Sequence, residues 1–328
     1  MPRWLVGRAS AILAGTLLLT ACDGSWLTAA KSGPYPNDQI RWIVPYPPGA
    51  GTDSTSRIIA RCLEGRLGQT IVVENVSGAS GARGTRELIQ SRPDGYVVGL
   101  GITTGMTLTP LRQDVGFTKD DLVPIGAFAR FGMIIAVGAK SPYGSAADLF
   151  KAAKASPDTV TVGVPGISSP KAAAFRALAV AHGLRFRVVP LEGAAAVNTA
   201  LLGGQVQAAG LDGDLVAEPL VTSGKVRALA AVGETAWAET PGIPTFAELG
   251  YPGATIPDYY FFMAAPKNLP RQILGKLEGE LDACTADPGV QRAMGGANYV
   301  PRPFLGSSSM KKVLDQQQAT YERIYQRR

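Results

Sequence analysis

Residues 45–57 read PYPPGAGTDSTSR, set between the apolar run Ile40-Arg41-Trp42-Ile43-Val44 and the helically spaced Arg57-Ile58-Ile59-Ala60-Arg61-Cys62-Leu63. A strand, a Pro/Gly turn and a helix N-terminus in succession form the unit from which open α/β sheets are built. The same unit holds anions, because the first turn of a helix leaves N–H groups unpaired and carries partial positive charge.

The scheme recurs at Ser77–Gly84 (SGASGARG), Ile102–Met106 (ITTGM) and Pro165–Lys171 (PGISSPK). Several such turns converging would hold an anion without side-chain cations. Strands are expected at 40–44, 70–74, 96–101, 134–137, 160–164, 186–189, 208–211, 226–232 and 261–264. Helices are expected at 53–67, 81–90, 146–155, 171–182 and 194–202, with two more closing the chain. This alternation predicts an α/β protein with parallel sheets covered by helices.

The chain has 328 residues, 46% hydrophobic and 18% charged, enough for two domains and a sizeable core. Its start reads as a targeting segment. Arg3 and Arg8 precede the apolar stretch Ala11–Leu19, which is too short for a comfortable membrane span, and Leu19-Thr20-Ala21-Cys22 matches a bacterial lipoprotein box. Residues 1–21 are therefore expected to be removed and Cys22 to carry lipid, with 22–37 as a tether. The two leader arginines account for two of the six net positive charges, and the remaining excess forms no basic run that would suit nucleic acid. Export permits a disulfide. Cys62 and Cys284, however, each sit on the apolar stripe of an expected helix, and the plainer reading is two separate buried thiols.

Nucleotide and catalytic chemistries find few carriers. Gly49-Ala50-Gly51 lacks the third glycine of a dinucleotide fingerprint and the Gly-Lys-Ser/Thr of a P-loop. Asp53 would repel a phosphate and is read as an N-cap accepting N–H bonds from the first turn. No G-x-S-x-G elbow occurs, and His182, the single histidine, sits before Gly183 as a surface cation at a helix C-terminus. One histidine and three scattered cysteines match no metal spacing, so neither cofactor nor metal is expected. Trp42 and the group Tyr259-Tyr260-Phe261-Phe262 read as core. Glu74-Asn75 reads as a tie for the loop after it, and Lys171 as either a solvated surface lysine or a ligand partner.

Taken in order, the motifs resemble the solute-binding receptors of tripartite tricarboxylate transporters, the TctC-like Bug family. The family's V-P-[FY]-P-P-G-G-x-x-D loop is matched by Val44-Pro45-Tyr46-Pro47-Pro48-Gly49-Ala50-Gly51-Thr52-Asp53. Its V-E-N-R-P-G-A-G-G-N-x-G segment is matched by Val73 to Gly84, and its P-D-G-Y by Pro93-Asp94-Gly95-Tyr96. Further matches run through Leu201-Leu202-Gly203-Gly204-Gln205-Val206, Ile243-Pro244-Thr245-Phe246 and Ala265-Pro266.

The resemblance implies a two-lobed type II periplasmic binding-protein fold with two mixed or parallel sheets. It places hinge crossings near 132–138 and 257–262, lobe one at 38–135 and 259–328, and lobe two at 136–258. It implies a monomer that captures a small carboxylate on the periplasmic side of the membrane for permease subunits. The expected anion site uses N–H groups around Gly51, Thr52, Gly81 and Ala82, beside Asp53, with the Thr103 and Thr104 hydroxyls. Tyr46 forms a wall, and Ser168, Ser169 and Asp212 read the distal end. The chain departs from the family pattern at Ala50, Ser80 and Ala82, at Lys171-Ala172, where a Ser-x-x-His pattern is usual, and at Glu192. Two other functions remain open at this point: a receptor reporting to a sensor partner, and an enzyme of unrecognised type.

Overall fold

The computed structural model describes residues 33–49, 51–212, 217–233, 242–295 and 299–326. The leader, Cys22, most of the tether and Ala50 lie outside the described residues.

Two five-stranded mixed sheets organise the chain. Sheet one has the order β2-β1-β3-β10-β4, from β1 (Ile40–Val44), β2 (Ile71–Asn75), β3 (Val97–Ile102), β4 (Leu122–Phe131) and β10 (Tyr259–Pro266). Strands β1, β2 and β3 run parallel, while β10 is antiparallel to both β3 and β4. Sheet two has the order β7-β6-β8-β5-β9, from β5 (Met133–Gly138), β6 (Thr161–Val164), β7 (Arg187–Pro190), β8 (Ala208–Asp212) and β9 (Val226–Ala231). Here β5 is the antiparallel insertion, between β8 and β9.

The helices are α1 (Gly51–Leu67), α2 (Ala82–Gln90), α3 (Thr103–Thr107), α4 (Thr109–Arg112), α5 (Ala146–Ala155), α6 (Pro170–His182), α7 (Gly193–Leu202), α8 (Ala217–Thr222), α9 (Arg271–Ala286), α10 (Pro288–Ala293) and α11 (Ser307–Gln326). The continuous apolar run of β1 is explained by its central place between β2 and β3, where both faces are covered. Trp42 is fully buried there, edge-on to Phe128 at 5.9 Å.

Strand β4 escapes a sequence reading because Pro124 and Gly126 look like breakers. It lies at the edge of sheet one, where a proline is tolerated. Gly126 leaves room for the Phe304 ring, since a Cβ there would stand 2.4 Å from the ring's Cζ.

Only Gly132 separates β4 in sheet one from β5 in sheet two. The return to sheet one enters β10 through Asp258, whose carbonyl accepts a bond from Gln317 Nε2 of α11 at 2.8 Å. The same last helix carries Tyr325, whose ring takes the guanidinium of Arg112 from α4 at 4.5 Å and that of Arg176 from α6 at 5.2 Å.

Cys62 of α1 and Cys284 of α9 form a disulfide with Cα atoms 5.9 Å apart, which corrects the reading of two separate thiols. Their apolar stripes are buried as expected, but they are buried against each other. His182 ends α6 with Gly183 in the left-handed conformation behind it (φ 68°), the expected helix stop. Its ring is half-buried and edge-on to Tyr251 at 4.9 Å, so it packs against a neighbour where an exposed surface position was expected.

Candidate functional site

Three strand ends meet at one cleft. Strand β1 stops at Val44 and hands over to the Pro45–Gly49 loop and α1. Strand β3 stops at Ile102 and runs directly into α3, and β6 stops at Val164, with 165–169 leading to α6. Ligand crevices of α/β sheets lie beyond the carboxyl ends of such strands. The cleft has a volume of about 480 Å³. The first loop contributes Tyr46 and the start of α1 Thr52; the β3 end contributes Ile102, Thr104, Gly105, Thr109 and Gln113; the β6 end contributes residues 165–171. Tyr259 and Phe261 of β10 complete it. A hollow of about 540 Å³ is larger, but it lies at the opposite end of sheet two from these strand ends, against residues 138–142, the end of α7 and Lys225.

The turn chemistry explains which groups face the solute. Asp53 does not cap α1; it lies in the first turn and accepts from Gly49 N–H at 2.9 Å, Arg57 Nε at 2.9 Å and Asn75 Nδ2 at 3.0 Å. Burial pushes its carboxyl up, but the donors Arg57, Gly49 and Asn75 outweigh this and hold it below the usual carboxylate value. Its oxygens are therefore spent on shaping the loop, and Asp53 does not line the cleft. Asn75 completes the brace by donating to the Tyr46 carbonyl at 3.0 Å and accepting from Arg57 Nη2 at 3.0 Å. Asn75 thus ties the loop that precedes α1, whereas Glu74 pairs with Arg41 on the neighbouring strand β1.

With its loop braced, Tyr46 projects into the cleft, and burial pushes its phenol up to about 12. It is a neutral hydrogen-bonding group at any ordinary pH. Beside it, the Thr52 hydroxyl oxygen is buried and has no hydrogen-bond partner among the described residues. A buried polar atom of this kind costs stability unless something satisfies it.

Gly81 and Ala82 play a different part from the one expected. Gly81 N–H donates to Gly78 O at 3.0 Å and Ala82 N–H to Ala79 O, closing a 3₁₀ turn before α2. Neither residue lines the main cleft. Gly81 (φ 92°) passes under the Tyr46 ring, where an added Cβ would stand 2.9 Å from the phenol oxygen. Thr103 is fully buried, and its Oγ1 accepts from Tyr260 N–H at 3.1 Å, joining α3 to β10 behind the cleft. Thr104, one residue on, reaches the cleft itself. Gly51 opens α1 next to Thr52 but supplies no lining surface.

Across the cleft, the Ser169 hydroxyl is committed to the start of α6, accepting from Ala172 N–H at 3.2 Å and donating to Gly166 O at 2.8 Å. Ser168 is half-buried on the cleft surface. Lys171 is the one charged side chain among the described lining residues. It is buried to 5% exposure, and its ammonium pairs with the Asp212 carboxylate at the end of β8. Lys171 is therefore not a solvated surface lysine, and Asp212 faces a cation.

Tyr259 and Phe261 were expected in the core. They are buried, yet the face of β10 that they share also forms cleft wall, while Phe262 points into the opposite core. Thr109 and Gln113 carried no sequence signal, because the short helix α4 is hidden in a Thr-Pro run.

The family model described as "Tripartite tricarboxylate transporter family receptor" matches residues 55–327. Protein BugT of Bordetella pertussis is 29% identical over 273 residues, covering 81% of this chain and 82% of BugT. A TctC solute binding protein from Polaromonas, solved without ligand, superposes with a TM-score of 0.76 at 27% identity, over 89% of this chain and 99% of the other. The R. palustris protein Rpa4515, solved with adipate, gives 0.77 at 25% identity, over 89% and 98%.

Proposed function

Because the chain belongs to the tripartite tricarboxylate transporter receptor family, and so is an extracytoplasmic solute-binding receptor and not an enzyme, we propose that it captures a small carboxylate in this cleft and presents it to permease subunits of a tripartite tricarboxylate-type transporter. The observation that carries the reading is the buried Thr52 hydroxyl at the N-terminus of α1, without a partner among the described residues, in a cleft where Lys171, the one cation among the described lining residues, is already paired. A carboxylate would satisfy that hydroxyl together with the first-turn N–H of Thr52, the Tyr46 phenol and the Thr104 hydroxyl. Ser168 and the start of α6 would meet its other end. The adipate held by Rpa4515 supports the ligand class.

In this reading, lobe one comprises residues 38–135 and 259–328 and lobe two residues 136–258, and closure about the two crossings gives the permease a loaded shape to recognise. The receptor is a monomer on the periplasmic side, held to the membrane by lipid on Cys22 after loss of residues 1–21, with 22–37 as tether.

Thermal shift against a carboxylate panel tests the binding. A true ligand at about 100-fold over its Kd adds about 2.7 kcal/mol of stability, and Thr52→Val removes most of that gain. A response to sugars or cations with none to carboxylates overturns the proposal. Cys22→Ser should release the protein from membranes; continued membrane association of that variant refutes the anchor.

A further inference from the structure

We propose that Lys171 and Asp212 form a charge-balanced far wall, so that the receptor selects carboxylates whose other end is uncharged and rejects both dicarboxylates and solutes carrying a distal ammonium. The inference rests on the carboxylate reading above and narrows it. Lys171 is the second residue of α6, and its side chain lies across β8 at Gly210, where an added Cβ would stand 2.7 Å from both Cβ and Cγ of the lysine. The bare strand there is what lets the stem lie flat. Two residues along the same face of β8, Asp212 meets the ammonium with its carboxylate; the side chains are 5% and 12% exposed. The ring of Tyr259 stands 5.4 Å from the same ammonium on the cleft side.

The pair has no net charge to offer. A distal carboxylate would give up its water beside a cation already matched by Asp212, leaving one buried negative charge uncompensated. A distal ammonium meets the mirror problem, because Asp212 is already matched by Lys171. What remains nearby is the apolar surface of Ile102, Ile167, Tyr259 and Phe261, which suits an aliphatic or aromatic tail.

Three six-carbon probes that differ only at the far end test this by calorimetry on the full chain: hexanoate, adipate and 6-aminohexanoate. Wild type should bind hexanoate about 10-fold or more tighter than either of the others. Asp212→Asn frees the Lys171 charge and should move adipate up by about 10-fold relative to hexanoate. Lys171→Gln frees the Asp212 charge and should do the same for 6-aminohexanoate. The double variant Lys171→Gln/Asp212→Asn, neutral at both positions, should keep the wild-type order and covers the case in which a single variant fails to fold. Equal or tighter adipate binding by wild type, or rankings unmoved in folded single variants, overturns the charge-balanced wall and leaves the carboxylate site standing. Binding of none of the three probes by any form overturns both.

Discussion

Breaking the Cys62–Cys284 bond should cost this protein a large part of its stability without changing its folded shape. The bond joins α1, which carries Thr52, to α9, and the two cysteines are 222 residues apart in sequence. All of sheet two therefore hangs inside the closed loop. Chain-entropy arithmetic for a loop of that length gives about 5 kcal/mol as a ceiling, and residual structure in the unfolded chain trims it to about 3–5 kcal/mol. With an unfolding entropy of ~2.1 cal/mol/K per residue over roughly 300 ordered residues, 4 kcal/mol corresponds to a fall in Tm of roughly 6–7 °C. The assay is urea unfolding of a Cys22→Ser form with and without Cys62→Ser/Cys284→Ser, alongside thiol titration of the unreduced protein in denaturant. The expected results are no titratable thiol in the parent and a lower urea midpoint in the variant. Two titratable thiols, or a stability change under about 1 kcal/mol, would refute the reasoning.

Asp53 makes stability depend on pH in a definite direction. Its folded carboxyl lies below the ordinary value near ~3.9, so its contribution is complete above that pH and is lost as pH falls through the folded value. Asp53→Asn should cost about 1–3 kcal/mol at pH 7 and less near pH 3, read from urea midpoints; a gap of equal size at both pH values contradicts this. Gly101→Ala places a Cβ 2.3 Å from the Phe262 ring, and should cost about 1–3 kcal/mol by the same measurement. A change below about 0.5 kcal/mol would show that the ring moves aside freely.

Local units were legible and long-range ones were not. The β1–loop–α1 passage could be read from 45–57 alone, because strand, turn chemistry and helix start are all encoded within a few residues. The same holds for β6–α6, whose Ser169 cap is visible as Ser-Pro before an apolar run. Strand β4 was masked by Pro124 and Gly126, whose acceptability depends on an edge position and on Phe304 far along the chain. The antiparallel entry of β10 beside β3 likewise has no local mark.

In the site, Tyr46, Thr52, Thr104, Ser168 and Ser169 fall on the cleft as named from sequence. Gly81 and Ala82 were misjudged because a Gly-rich run does not reveal whether its amides are spent inside a 3₁₀ turn. Lys171 looked ambiguous because its burial is decided by an absent side chain at Gly210, thirty-nine positions later.

Tyr325 has a practical bearing on how the protein is handled. Its ring is shared by Arg112, which follows the sheet-one strand β3, and Arg176, which follows the sheet-two strand β6. A purification handle or fluorescent reporter placed in the chain just after Tyr325 would begin beside that ring. Crowding there would bear on both partners of the ring at once, so affinities measured on such a fusion would mix solute recognition with the energetics of the attachment. Handles placed behind Cys22 avoid this, whereas an environment-sensitive dye beside Tyr325 would turn the same geometry into an optical gauge of how the two arginines are held.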